Sequence, residues 1–491
     1  LTTALSGLQT SAAMIQVSSE NISNAGKAGY TQKTALLSTS QTGNASITSV
    51  SGYSRATDDA TKKALLASTT EDGSLSTTNS YLQQVESLLG STNSSTSDSI
   101  ADYMSTFATA WSTLDSEPES ETAQAAVVTA GENLTNAIRT ASNGTETLYR
   151  GIQSDISTTV STINSSLSQI ANYNKLIAQA SATGGSTVDL QDARDVLIQN
   201  LSSVMSVTSS SQGNGTISLF TSGGFELVTA TSSKTFAYDS ASQMVYCPDS
   251  PSTSMNGTLT GGSLQAALNF IDSSPAATAS TQNGVGTIQK LRDSLDSIVT
   301  SLTSPTSSFQ TAYNTNDNDP AATDPANNFF YISGATNLDS SNITVNSKLT
   351  NGAQTLASMI KGNLTTDETT ADIFKKVADT FNDTSQTFQV GTLDTATGTV
   401  SNVWKTVSNA SYETLSSTLI AYFQNSAATV SSLASTASSQ KSTLATNYAN
   451  ATGVDTDTEL VKLTTLENAY NASAKVISIV NSMFTTLHDM F

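Results

Sequence analysis

The chain has 491 residues, enough for about three domains at roughly 150 residues each. Charged residues make up only 12%, where soluble domains usually carry about a quarter, and Ser and Thr fill roughly a third of the positions, so the surface is polar through hydroxyls. Forty acids against 20 bases leave a net charge of -20, which disfavours nucleic acid and anionic membrane surfaces, while a single cysteine (Cys247) and a single histidine (His488) exclude a disulfide framework, a Cys/His zinc site and a Cys–His nucleophile pair.

The first element is a helix. Leu1, Leu5, Leu8, Ala12, Ile15, Ser19 and Ile22 recur at steps of three and four, the spacing of a seam that packs along a partner helix. It is expected to stop in NISNAGKAGY, where Asn24, Gly26 and Gly29 end helices, and a Gly/Thr/Ser loop is expected to about Thr57. Helices follow around Leu82–Leu89 and Ile100–Leu114, ahead of Pro118. From about Thr122 to Ser181 one apolar step continues without a break, which at 1.5 Å per residue predicts a rod of roughly 90 Å.

A short helix over Leu190–Val204 leads into strand-like TISLF, FELV, KTFAY and MVYC, separated by turn residues. A helix carrying Ile288, Leu291, Leu295, Ile298 and Leu302 ends at Pro305, and FFYIS and NITVN read as a further strand pair. A long helix over about Tyr412–Tyr448 precedes the last one, where Leu463, Leu466, Tyr470, Ser473, Ile477, Val480, Phe484, Leu487 and Phe491 repeat the three-four step. Asp455 and Asp457 stand where carboxylates suit that helix's N-terminus.

The fold class expected is mainly α with a β-containing insertion. Residues 1–55 with 455–491 form a terminal coiled coil, 56–185 with 400–454 a long-helix rod, and 186–399 an inserted mixed, β-rich domain.

No catalytic, cofactor or metal residues stand out. His488 adjoins Asp489, but sequence neighbours on a helix do not face each other, so no oriented base results. The acidic loop Asn314–Pro325 lacks the central Gly and closing Glu of a calcium loop, and the Gly-rich stretches fit no phosphate-binding pattern. No run of 18 apolar residues offers a membrane span, and no basic-then-apolar N-terminus marks a cleaved signal.

Two motifs carry a resemblance. ALSGLQTSAAMIQVSSENISNAGKAGYTQKTA (Ala4–Ala35), with Asn21, Asn24, Gly29 and Tyr30, resembles the N-terminal signature of the flagellar rod, hook and hook-associated axial proteins. Gln32 and Lys33 replace that family's basic-then-polar order. ATGVDTDTELVKLTTLENAYNASAKVI (Ala451–Ile477) resembles its C-terminal signature, with Thr452 in place of serine, and DLQDARD, GGSLQAALNF and FFYIS match internal points.

The resemblance implies a secreted structural subunit of the bacterial flagellum, not an enzyme and without cofactors. It would form the junction between hook and filament by packing of its terminal helices. The implied partners are a ring of copies of itself, the hook protein, a second hook-associated junction protein, and a cytosolic export chaperone on the C-terminal helix. Export is implied through the flagellar apparatus without a cleavable signal. A seam rich in Ser and Ala is marginal alone, so the termini are expected to be mobile in the free monomer and to order on assembly. The alternatives are a hook or distal rod protein and, from another class, a secreted adhesin or surface-layer protein.

Overall fold

The computed structural model describes residues 2–42, 45–90, 99–313, 325–333, 338–361, 369–394 and 399–490. The chain opens with α1 (Thr2–Asn24), a hairpin of β1 (Lys33–Thr42) and β2 (Ala45–Arg55), then α2 (Asp59–Leu89), α3 (Ile100–Ser116), α4 (Glu121–Ala182) and α5 (Val188–Val204). Six short strands follow: β3 (Val207–Ser211), β4 (Ile217–Thr221), β5 (Glu226–Val228), β6 (Ala237–Asp239), β7 (Met244–Cys247) and β8 (Ser250–Ser254). Helices then return as α6 (Gly262–Ile271), α7 (Pro275–Thr278), α8 (Thr287–Thr303), α9 (Ser308–Tyr313), α10 (Ser347–Thr350), α11 (Leu356–Lys361) and α12 (Thr370–Asn382). A second hairpin, β9 (Gln386–Asp394) and β10 (Thr399–Ala410), leads into α13 (Tyr412–Thr452) and α14 (Thr456–Asp489).

The chain is therefore mainly helical with a small β-containing region, as its periodicity predicts. Local chemistry sets several helix starts. Ser99 and Asp102 form a capping box at α3, Thr369 and Asp372 another at α12, and Asp455 caps α14 by accepting from the amides of Asp457 and Thr458. The 62 residues of α4 bury one continuous stripe that includes Val127, Leu134, Ile138, Ile152, Ile163 and Ile170, which is why the helix runs unbroken.

The residues group into two compact units, 1–75 with 157–265 and 434–491, and 76–156 with 266–433. In the first, β3-β4-β5 and β6-β7-β8 are antiparallel three-stranded sheets. Asparagines on α4 substitute for missing strand partners: Asn174 donates to the carbonyls of Ile217 (2.7 Å) and Thr229 (3.1 Å), and Asn164 exchanges two 2.8 Å bonds with the backbone of Phe236. An amide carries both a donor and an acceptor, so one side chain replaces a backbone unit.

The second unit is built on aromatic rings. Phe107 lies 5.4–6.2 Å from Trp111, Phe309, Phe329, Phe330 and Phe381, with Tyr313 and Phe374 against Trp111. Tyr412 extends the cluster and ties it by accepting from the Phe309 amide (3.0 Å) and donating to the Ser301 carbonyl (3.1 Å). Burial pushes its hydroxyl up to about 12, so it stays a donor.

Two expectations are corrected. The loop expected up to Thr57 is a ten-pair antiparallel hairpin from Lys33↔Arg55 to Thr42↔Ala45, because alternating Thr, Leu, Ile, Val and Tyr suit a pleated strand even among hydroxyls. FFYIS and NITVN do not form a strand pair; one isolated bridge joins Phe330 to Val345, because Phe329 and Phe330 turn into the aromatic core. The acidic loop lies outside the described residues through position 324.

Candidate assembly interface

The terminal helices α1 and α14 pack along each other. Ser18 meets Glu459, and a Cβ on Gly7 would come within 3.1 Å of the Ser473 hydroxyl, so the two helices run antiparallel. Gly7 lets them approach closely.

The side of α1 that is buried is not its apolar seam. Ser6, Thr10, Ser11, Val17, Ser18 and Asn21 face inward. Thr10 donates to the Thr48 carbonyl of β2 at 3.0 Å, Ser6 to its own helix at Thr3, and Ser18 to Glu459 at 2.6 Å. Of the expected seam, Leu5 is 46% exposed, Ala12 is exposed, and Leu8, Ile15 and Ile22 are half-buried.

On α14, Leu466 is buried and Leu463, Ile477 and Val480 are half-buried, while Tyr470, Phe484 and Leu487 are exposed. Leu1 and Phe491 lie outside the described residues.

A second stripe on α14, which shares Leu487 with the first, went unread in the sequence. Val476, Ile479, Met483, Leu487 and Met490 follow one another at steps of three and four and are each about half to three-quarters exposed. The same spacing rule finds them once both sides of the helix are searched. An apolar row of this length left open on a polar chain marks an interaction surface.

The family-motif residues sit where α1 turns into the hairpin. Asn21, fully buried, accepts from the Tyr30 hydroxyl (2.9 Å) and the Lys33 amide (3.0 Å) and donates to the Lys33 carbonyl (2.9 Å). Asn24 donates to the Glu20 carbonyl. Gly29 has φ +77°, and a Cβ there would fall 2.2 Å from the Val196 side chain, so both conformation and space require glycine.

Three segments far apart in sequence converge on this turn. Asp192 of α5 accepts from the Thr31 amide (3.1 Å) and hydroxyl (2.8 Å) and from Arg55 (2.7 Å). Asp195 accepts from Arg55 and Lys62, each at 2.6 Å, and Lys33 pairs with Asp189. From α14, buried Glu459 accepts from Ser18 and from Gln32 (2.8 Å), with Lys462 at 3.4 Å.

Electrostatics favour the charged forms of Asp195, Glu459 and Arg55. Burial alone would raise the Asp195 carboxyl, but Lys62 and Arg55 outweigh it and hold it below the usual carboxylate value. At Glu459 burial is likewise overcome, by hydrogen bonds from Ser18 and Gln32 and by Lys462. Burial opposes the charge on Arg55, yet Asp195 and Asp192 bind its proton more firmly than usual. Burial and then Asp189 push the Tyr30 phenol up, keeping it a donor to Asn21.

Comparison with known proteins finds flagellar relatives. The family model described as flagellar hook-associated protein FlgK helical domain matches residues 82–319, and that described as flagellar basal body rod FlgEFG protein C-terminal matches 445–490. Over these segments the chain is similar to flagellar hook-associated and rod proteins. Flagellar hook-associated protein 1 of Salmonella typhimurium is 28% identical over 244 residues, 48% of this chain and 43% of that protein. Its Escherichia coli counterpart is 26% identical over 244 residues, 48% of this chain and 44% of that protein. The chain thus spans less than half the length of these relatives. A solved structure of the flagellar hook junction protein FlgK from Burkholderia pseudomallei aligns over 51% of this chain and 43% of that one, at 25% identity and a TM-score of 0.41. Among the described residues no helix is long and apolar enough to cross a membrane.

Proposed function

We propose that the chain is a structural subunit of the bacterial flagellum that forms the junction between hook and filament, working by packing and not by bond chemistry. The observation that carries this reading is that α14 pairs with α1 while Val476 and Ile479, on the paired stretch, stay about half exposed at the head of an apolar row that continues through Met483, Leu487 and Met490. A helix with one face on its own chain and another uncovered suits a tube in which each subunit's hairpin of helices packs on those of its neighbours.

In this reading α1 and α14 form the inner layer, as residues 1–55 with 455–491, and the long helices over 56–185 and 400–454 the next. The mixed segment 186–399 forms the outermost layer. Leu5, Leu8, Ala12, Ile15 and Ile22 meet copies of the chain alongside Leu463, Leu466, Tyr470, Ile477, Val480, Phe484 and Leu487. The match of the hook-associated helical domain over 82–319 favours a junction subunit over a hook or rod subunit.

The partners are then copies of the chain in a ring, the hook protein on one side and a second hook-associated protein on the other. Before export, the apolar face of α14 needs cover, which an export chaperone on that helix supplies.

Deleting the gene tests this. Cells lacking the chain are expected to build hooks but to release unpolymerised filament subunit, and the intact chain restores filaments. Normal filaments in the deletion strain would overturn the junction role.

A further inference from the structure

The hairpin β1–β2 has a side the chain does not use. Within it β2 does most of the packing on α1, with Ile47, Thr48, Val50, Gly52 and Ser54 half-buried. Along β1, Thr34 and Leu36 through Gln41 are all exposed, including Leu36 (47%) and Leu37 (46%). Successive strand residues point to opposite faces, so each face of β1 carries one half-open leucine. A register shift lies between these leucines, with Leu36 opposite Gly52 and Leu37 opposite Val50.

The sheet has two strands, and among the described residues no third strand pairs with β1. Two strands alone are marginal in water, and a bare edge with leucine on both faces is an invitation to pair. Proteins commonly blunt such an edge with Lys, Pro or inward charge. Between Lys33 and Arg55 there is no Asp, Glu, Lys, Arg or Pro.

We propose that the free edge and open faces of β1 around Leu36 and Leu37 bind a second copy of this chain. Continuity with equally uncharged stretches of the terminal helices points to that occupant. Two copies each carrying -20 repel, and contact costs least where neither presents a charge. Residues 34–54 adjoin α1, and residues 1–19 of that helix region and 476–487 of α14 are also free of charged side chains. The contact extends the assembly face and rests on the reading of α1 and α14 as that face.

The test uses flagella assembled from the full chain, with a photoreactive amino acid at Leu37 in one strain and at Ile479 in another. Covalent dimers of the chain from both positions are expected. Dimers from Ile479 but none from Leu37, or Leu37 adducts with a different protein, overturn the hairpin contact and leave the terminal-helix reading standing. Dimers from Leu37 alone support the hairpin contact and refute the role of α14, and dimers from neither position refute both. A Leu36→Ser, Leu37→Ser variant should fold, since the hairpin docks mainly through β2, and should lower the Ile479 dimer yield about tenfold by removing half-open leucine area from the contact. An unchanged yield counts against the proposal.

Discussion

In the unit formed by residues 1–75, 157–265 and 434–491, the turn after α1 is held by ion pairs and hydrogen bonds of Asp192, Asp195, Glu459, Arg55 and Lys62. In the unit formed by 76–156 and 266–433, Phe107 is surrounded by five other rings and needs no charge at all. Packing of ring on ring carries no titrating group of its own. A charged turn can be loosened and remade, which suits the end of the molecule proposed to change neighbours during export and assembly.

The largest effect expected is on the aromatic side. Phe107→Ala should destabilise its unit by about 3–5 kcal/mol, since a fully buried ring leaves a cavity its neighbours fill only in part. Both tryptophans, Trp111 and Trp404, lie in this unit, so denaturation followed by tryptophan fluorescence reads it alone. A loss under about 1 kcal/mol would mean the cluster is not the core it resembles.

On the polar side, Arg55→Ala strips Asp192 and Asp195 of their shared partner and should cost about 3 kcal/mol, with faster proteolysis between α1 and α2. Adding Asp192→Asn and Asp195→Asn should recover much of that loss, because the damage is the uncompensated charge. A triple variant as unstable as the single one would break the electrostatic account.

How much of this was legible follows the same division. Long helices declared themselves because one 3.6-residue period runs through α4 from Val127 to Ile177, and caps such as Asp455 were visible as single residues. The hairpin over 33–55 was read as loop because its strand signal is mostly threonine and serine, which also mark turns. The inward face of α1 was not read because hydropathy points to Leu5 and Leu8, while Thr10 and Ser18 are buried and hydrogen-bonded. The turn's charges could not be paired from sequence, since Arg55 and Asp195 are 140 positions apart. Motif likeness marked the segments without saying that they meet.

Acid should move the two units in opposite directions. Asp293 on α8 is 1% exposed, and burial first, then Asp296, raises its carboxyl to about 6 despite a bond from Gln289. A raised folded value means stability that is complete below the ordinary carboxylate range and lost as pH rises through about 6. Asp195 and Glu459 are depressed, so their contribution is present above about pH 4 and lost as pH falls through their lower folded values. Between pH 7 and 5 the aromatic unit should therefore firm up while the charged turn is unchanged, and below pH 4 the turn should open first. Asp293→Asn should add about 2 kcal/mol at pH 7 and flatten the first change. A fluorescence-detected stability equal at pH 7 and 5 in the unsubstituted chain would refute the assignment to Asp293.

The smallest effect tests the joint between α1 and α14. Ser18→Ala removes one donor from the buried Glu459 carboxylate and leaves Gln32 and Lys462 in place, so the expected cost is about 1–2 kcal/mol. Because α1 and α14 pack on each other in the free subunit with much of their apolar surface still open, that modest loss should appear as faster protease cleavage of both termini in the monomer. It should largely vanish once neighbours cover them, since assembly adds burial that does not pass through Ser18. Equal cleavage rates for variant and parent monomers would show that the Ser18–Glu459 bond does not hold the terminal pair, and the burden would fall on the packing around Gly7 and Leu466.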